Sequence, residues 1–141
     1  MKKEIKISRP EEVIRQKVLY FLIHALKFPE KLIATEKKIE SFLNSGLPCP
    51  LKRRFDILCF SKSKEEVNPL LLIECKADKI VSKNFEQVEG YNSWIGAKFV
   101  ALVAKNQAFI GKFCKKDKRY VYQEGLLSYD DLLGIIKNEL D

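Results

Sequence analysis

The chain has 141 residues, of which 46% are hydrophobic and 32% are charged. That composition excludes a disordered, collagen-like or membrane-spanning chain and predicts one globular domain over residues 1–141. Lysine and arginine outnumber aspartate and glutamate by 26 to 19, for a formal charge of +7, so we expect a polyanionic partner.

The cysteines indicate the cellular compartment. None of them belongs to a Cys-x-x-Cys or Cys/His pair with the spacing of a structural zinc site, and no secretory or membrane segment precedes them. We therefore expect no zinc, no membrane association and a reducing, cytoplasmic setting. The four cysteines are Cys49, Cys59, Cys75 and Cys114.

The first predicted element is a helix. Ser8-Arg9-Pro10-Glu11 is a capping-box pattern, and the helix should end before Pro29. Apolar residues recur every three or four positions between these two points, which predicts one stripe facing the core. The stripe consists of Ile14, Val18, Phe21, Leu22, Ala25 and Leu26.

Three strands are predicted next. Residues 32–42 are rich in β-branched residues and favour a strand, although their lysines and glutamates leave a helix open. After the breakers at 44–50, residues 53–60 and 70–76 each predict a largely buried strand. The polar residues 61–69 between them predict a loop, so the two strands form a hairpin.

The rest of the chain is predicted to contain two further helices with strands between them. A helix is predicted from Ser82 to Gly96, then strands at 99–104 and 108–113, a basic turn at 115–119, an edge strand at 120–122 and a helix from Ser128 to Leu140. This order predicts an α+β (α/β) fold in which helices flank a mixed central sheet. The core covers about residues 8–115, and the C-terminal strand and helix cover about 119–140.

Two carboxylates interrupt the apolar strands of the hairpin. Asp56 lies within Phe-Asp-Ile-Leu and Glu74 within Leu-Leu-Ile-Glu-Cys-Lys, positions at which a charge is costly unless it serves a purpose. Residue 65 lies midway between them and at the centre of the polar stretch, so a symmetric hairpin places them opposite each other. Lys76 shares their face, because side chains alternate along a strand.

Opposed carboxylates repel unless a proton or a cation lies between them, and a pair of this kind is how proteins bind hard metals such as Mg²⁺. A neighbouring lysine can polarise a phosphate or orient a water molecule, a combination suited to phosphodiester hydrolysis. The pattern Asp…Glu-x-Lys is short, however, and a partly buried ion-pair triad with a purely structural role is an equal alternative on this pattern alone.

Several motifs in one order carry a family resemblance. They are Arg9-Pro10-Glu11-Glu12-Val13-Ile14-Arg15-Gln16, Leu32 to Lys37, Lys52 to Ile57, Pro69 to Ala77, and Gln87-Val88-Glu89-Gly90-Tyr91-Asn92. Together they resemble the PD-(D/E)XK nuclease superfamily and, more narrowly, the N-terminal nuclease domain of the restriction subunit of type I restriction enzymes. Phe55 departs from the proline of the superfamily's name. No helicase motor region follows within these residues, so we expect ATP-driven translocation to lie outside this chain.

The resemblance implies a restriction-endonuclease-like core, with one helix before three antiparallel strands, and Mg²⁺-dependent DNA cleavage in which Mn²⁺ can substitute. It implies that Asp56, Glu74 and the Cys75 carbonyl bind the metal, with Glu12 as an extra acidic ligand, and that Lys76 is catalytic. Gln87 would complete the site. Implied DNA contacts are Arg53, Arg54, Lys79, Lys83, Gln87 and Tyr91.

The implied partners are DNA and, in a larger assembly, other restriction-modification or helicase subunits or a second copy of the chain. A rival from another class is a non-catalytic nucleic-acid-binding module that keeps the nuclease fold within a restriction or repair assembly. A purely structural domain is the third interpretation.

Overall fold

A computed structural model of the protein describes residues 10–35 and 55–140. Three helices and six strands follow one another along this part of the chain. They are α1 (Pro10–His24), β1 (Ile33–Thr35), β2 (Ile57–Ser63), β3 (Glu66–Cys75), α2 (Ser82–Ile95), β4 (Phe99–Ala104), β5 (Gln107–Cys114), β6 (Arg119–Glu124) and α3 (Tyr129–Leu140), with a 3-10 turn at Glu30–Leu32 before β1.

The six strands form one sheet in the order β1-β2-β3-β4-β5-β6. Only β3 and β4 run parallel within this part of the chain, and α2 makes the crossover that a parallel pair requires. The other neighbours are antiparallel. The predicted α+β class with a mixed sheet is therefore confirmed.

Two apolar clusters cover the two faces of the sheet. On one face, α1 and α3 pack on Ile57, Cys59, Ile73 and the odd-numbered residues of β4. On the other, α2 packs on Leu58, Leu72 and the even-numbered residues of β4. Because β3 and β4 are buried on both faces, they are continuous apolar runs, whereas a strand with one solvated face would alternate. Any charge near their ends therefore lies close to the core.

The predicted loop at 61–69 was wrong. The strands continue through most of this stretch, Ser63 pairs with Glu66, and the turn consists of Lys64 and Glu65 alone, with Lys64 at a φ of 54°. Residues 62–68 are exposed. The reason is that this end of the hairpin extends beyond both helix layers, so no alternation of apolar residues marks it as a strand.

Some of the smaller predictions were confirmed and others were wrong. Gly96 ends α2 at a φ of 77°, as expected, whereas the N-cap is Val81, whose N–H donates to Asn84 Oδ1 at 2.8 Å, and not Ser82. Phe21 is 47% exposed, so it lies outside the core stripe of α1. Ser8, Arg9 and most of the predicted strand at 32–42 lie outside the described residues. No helix in the described ranges is long and apolar enough to cross a membrane.

Candidate functional site

The candidate site lies where β3 leaves the sheet. Asp56 directly precedes β2, and Glu74 is the penultimate residue of β3, 2% exposed. By alternation, Glu74 continues the row of Leu72 on the α2 face, whereas Asp56 lies in a bend between Phe55 of the α2 cluster and Ile57 of the other cluster. The structure thus places one carboxylate near the end of β3 and the other just before β2.

A β-bulge determines which residues of β2 and β3 lie opposite each other near Asp56. The pairing shifts between Cys59 and Phe60, and Leu70 is the extra residue on β3. The register beyond the bulge, continued by one pair, brings Asp56 opposite Glu74, as the sequence predicted. Without the extra residue, Asp56 would face the apolar residue before Glu74. The expected register therefore results from a tight turn combined with a bulge, not from the predicted long loop.

One hydrogen bond joins the two strand ends. The backbone N–H of Cys75 donates to Asp56 Oδ2 at 2.7 Å. On the other side of the strand, the N–H of Lys76 donates to the carbonyl of Val103 on β4 at 2.8 Å. The Cys75–Lys76 peptide is trans, so its C=O points away from its N–H. The Cys75 carbonyl therefore points away from β4 and towards the Asp56 side.

Charge is crowded around Asp56. Burial has the largest effect and raises the pKa of its carboxyl above the ordinary 3.8, and the negative charge of Glu11 acts in the same direction. The Cys75 N–H and the positive charges of Arg15 and Lys76 lower this pKa. Because the net effect is upward, the fold disfavours a charge that a bound cation would favour.

Cys59 in β2 and Cys75 in β3 are buried thiols, as the sequence predicted. Burial raises the pKa of Cys59 from 9.0 to about 12 and raises that of Cys75 further, with the charges of Asp56 and Glu74 adding to the effect at Cys75. Both remain protonated at neutral pH, so neither supplies a thiolate nucleophile. The backbone of Cys75, not its sulfur, contributes to the site.

Glu12 pairs with two residues of its own helix. Its carboxylate forms an ion pair with Arg15 and accepts a hydrogen bond from Gln16 Nε2 at 2.9 Å, and these two bonds lower its pKa. The acidic residue of α1 whose charge acts on Asp56 is Glu11. Sequence reasoning chose Glu12 and missed both Glu11 and Arg15.

The helical spacing could have identified the missed residues. Positions 11, 15, 18 and 22 follow one another at intervals of four, three and four, so Glu11 and Arg15 continue the stripe of Val18 and Leu22. Arg15 is only 7% exposed, so it is buried like the apolar residues of this stripe. A buried arginine on the apolar stripe of a helix, with an exposed glutamate one turn before it, is the signal that marked this end of α1.

The other predicted contacts that the structure describes lie on α2 or just before it. Gln87 is half-buried on α2. Tyr91 is 8% exposed and packs in the α2 cluster. Both Lys79 and Lys83 are exposed near the start of α2. Arg53 and Arg54 lie outside the described residues.

The protein sequence matches the family described as type I restriction enzyme R protein N terminus (HSDR_N) over residues 10–126. The chain belongs to this family. The match begins at the first residue of α1 and ends just after β6, so it includes every described residue of the site. It confirms the family that the motifs resembled. No curated protein and no solved structure matches the chain significantly.

The donor set of this family member fits a hard cation. Among residues 10–35 and 55–140, no three His, Cys, Asp or Glu side chains form a metal-binding group. The site instead offers two carboxylates, Asp56 and Glu74, and the Cys75 carbonyl, all oxygen donors of the kind Mg²⁺ prefers. Mg²⁺ commonly retains several waters, so a few protein oxygens suffice.

Proposed function

We propose that this chain is a Mg²⁺-dependent DNA endonuclease domain that hydrolyses phosphodiester bonds, acting with other subunits of a restriction system. The observation that carries the proposal is the hydrogen bond from the Cys75 N–H to Asp56. It joins the half-buried Asp56 to the strand end that carries the buried Glu74 and the adjacent Lys76. Membership of the restriction-enzyme family supports the same chemistry.

Asp56, Glu74 and the Cys75 carbonyl would hold the metal, which supplies Lewis acidity and lowers the pKa of a bound water when present. Lys76 is half-buried, and its charge acts on Asp56. Its ammonium would bind the scissile phosphate and stabilise the negative charge that develops on its oxygens. Water adds to phosphorus, the P–O bond to the leaving oxygen breaks, and that oxygen takes up a proton.

The α1 residues have a supporting role in this proposal. Glu11 adds negative charge beside Asp56, which strengthens the attraction for a cation. Arg15 offsets part of that charge and is itself held by Glu12. We propose that Glu12 orients Arg15 and does not bind the metal directly.

Plasmid cleavage with Mg²⁺ or Mn²⁺ tests the proposal. We expect Lys76→Ala to lower the cleavage rate by about 10²–10³-fold, because one charge-stabilising group is lost. The matched control is Lys98→Ala. Lys98 is exposed just before β4, and since β3 and β4 run parallel, it lies at the opposite end of the sheet from Lys76. Its replacement should leave the rate unchanged.

A binding measurement separates the metal from the chemistry. Thermal stabilisation by Mn²⁺ should be lost in Glu74→Gln and retained in Lys76→Ala, because only Glu74 is a proposed ligand. Cleavage by Lys76→Ala at the wild-type rate would refute the mechanism. Salt-sensitive DNA binding, with no cleavage and no Mn²⁺ effect, would establish the non-catalytic binding module in its place.

A further inference from the structure

The outer edge of the sheet is formed by β6. It pairs with β5 on one side and is the last strand in the sheet order, so no strand of the described chain lies on its other side. Protected sheet edges usually carry a proline, a bulge or a covering segment. β6 contains no proline, and its pairing with β5 shows no register shift.

The hydrogen bonding of β6 shows which residues face outwards. Gly125 N–H donates to the carbonyl of Ala108 at 2.8 Å, and these two residues lie opposite each other in the continued register. In an antiparallel pair only alternate residues bond to the partner strand. The residues at 119, 121 and 123 therefore bond to β5. Tyr120, Tyr122 and Glu124 direct their backbone N–H and C=O groups away from the sheet.

We propose that β6 pairs antiparallel with β6 of a second copy of this chain, with the twofold axis at Val121. Outward-facing residues must oppose outward-facing residues, so only registers that align even-numbered with even-numbered positions are possible. In the register proposed here, Tyr120 opposes Tyr122 of the second copy, and Val121 opposes its own equivalent. Two six-stranded sheets would become one sheet of twelve strands.

The side chains favour this register. Val121, 48% exposed, would cover the equivalent valine, and two aromatic pairs would form on the opposite face. Arg119 would oppose Gln123, and Lys118 would lie beside Glu124, so no like charges meet. A neighbouring register, with the axis at Tyr122, would place Val121 opposite Gln123, Tyr120 opposite Glu124 and Tyr122 opposite its own equivalent. It would thus keep one aromatic pair but lose the valine pair. The other neighbouring register, with the axis at Tyr120, would place Val121 opposite Arg119.

Cross-linking tests the proposed register. Val121 does not use its outward side for hydrogen bonds, so the two Val121 residues form a non-hydrogen-bonded pair with Cα atoms about 4.5 Å apart. That separation lies within the range of about 4.4–6.8 Å that a disulfide spans. In a Cys49→Ser, Cys114→Ser background, Val121→Cys should give a covalent dimer on mild oxidation, without loss of the folded CD spectrum.

Gln123→Cys is the matched control, because it lies on the same strand face but opposes Arg119. The two introduced thiols would be separated by four residues along the strands, roughly 13 Å, and should not cross-link. A dimer with Val121→Cys and none with Gln123→Cys supports the proposal. Equal cross-linking of both variants, or of neither, would overturn it.

Sedimentation of the unmodified chain over a range of concentrations provides a second test. Val121→Lys would place two ammonium groups at the axis and should weaken association by roughly fivefold or more. Val67→Lys, at a valine 51% exposed on β3, is the control and should leave association unchanged. Glu124→Lys should weaken association, and Lys118→Glu combined with Glu124→Lys should restore it. A wild-type chain that stays monomeric throughout refutes the proposal.

Discussion

Two regions of the molecule bury polar groups next to the sheet, and they differ in how those groups are paired. At the end of α2, Asn92 is 5% exposed and donates to Ala97 O at 2.9 Å and to Tyr120 Oη at 3.1 Å, while its Oδ1 accepts the Ala97 N–H at 2.7 Å. These groups are neutral. At the candidate site, Asp56 and Glu74 are acidic residues brought together.

The difference separates a structural role from a functional one. A neutral network with complementary donors and acceptors stabilises the fold and fixes its geometry. A carboxylate whose pKa is raised by burial weakens the fold when it ionises, and it is retained for another reason. The comparison predicts opposite signs for mutations in the two regions.

The largest effect is expected at Asn92. Asn92→Ala should lower the free energy of unfolding by about 2–4 kcal/mol, because it leaves the N–H and C=O of Ala97 without their partner inside the protein. Urea denaturation measures this change. The exposed neighbour Ser93 is the control, and Ser93→Ala should change stability by less than about 0.5 kcal/mol. Equal losses of unfolding free energy at Asn92 and Ser93 would show that the hydrogen bonds of Asn92 do not stabilise the fold.

A smaller effect is expected at Tyr122, which links the same region to α2. Its hydroxyl donates to Glu89 Oε2 at 2.6 Å, and burial together with this bond raises its pKa above the ordinary 10.0. Tyr122→Phe should cost about 1 kcal/mol at pH 8.

The pH dependence of that difference has a definite sign. The folded protein holds the Tyr122 proton more tightly than the unfolded chain, so its contribution is complete below pH 10 and declines as the pH rises further. Unfolding free energies of wild type and Tyr122→Phe should therefore converge above pH 10. A gap that widens with pH would contradict the assigned hydrogen bond.

The smallest change in stability, with the opposite sign, is expected at Asp56. Asp56→Asn removes a charge disfavoured by burial and retains an oxygen that accepts the Cys75 N–H. In EDTA the variant should unfold at the same or a higher denaturant concentration than wild type, yet it should lose cleavage. A clear loss of stability would assign Asp56 a structural role like that of Asn92.

Sequence reasoning predicted where Asp56 and Glu74 lie in the fold better than it predicted the elements around them. Charges inside apolar strands identified Asp56 and Glu74, because burial makes such charges rare. The choice of Glu12 over Glu11 was less secure. Capping and charge patterns do not state which of two adjacent glutamates has a charge that acts on Asp56, and the structure gives that effect to Glu11.

The hairpin of β2 and β3 also shows what sequence patterns cannot predict. Residues 62–68 are exposed and polar, so no apolar periodicity distinguishes strands from a loop there. Their pairing depends on the two-residue turn and the bulge at Leu70, which depend on backbone geometry across two strands. The correct register at Asp56 was therefore predicted from an incorrect loop.

The sequence by itself determined the order of helices and strands, the buried character of β3 and β4, the end of α2 at Gly96 and the family, because these follow from local periodicity, capping and ordered motifs. The tertiary structure decided which acidic residue of α1 acts on Asp56, how a bulge aligns the carboxylates, and that β6 has no described strand on its outer side. Those features depend on contacts between residues far apart in the chain, which no local pattern records.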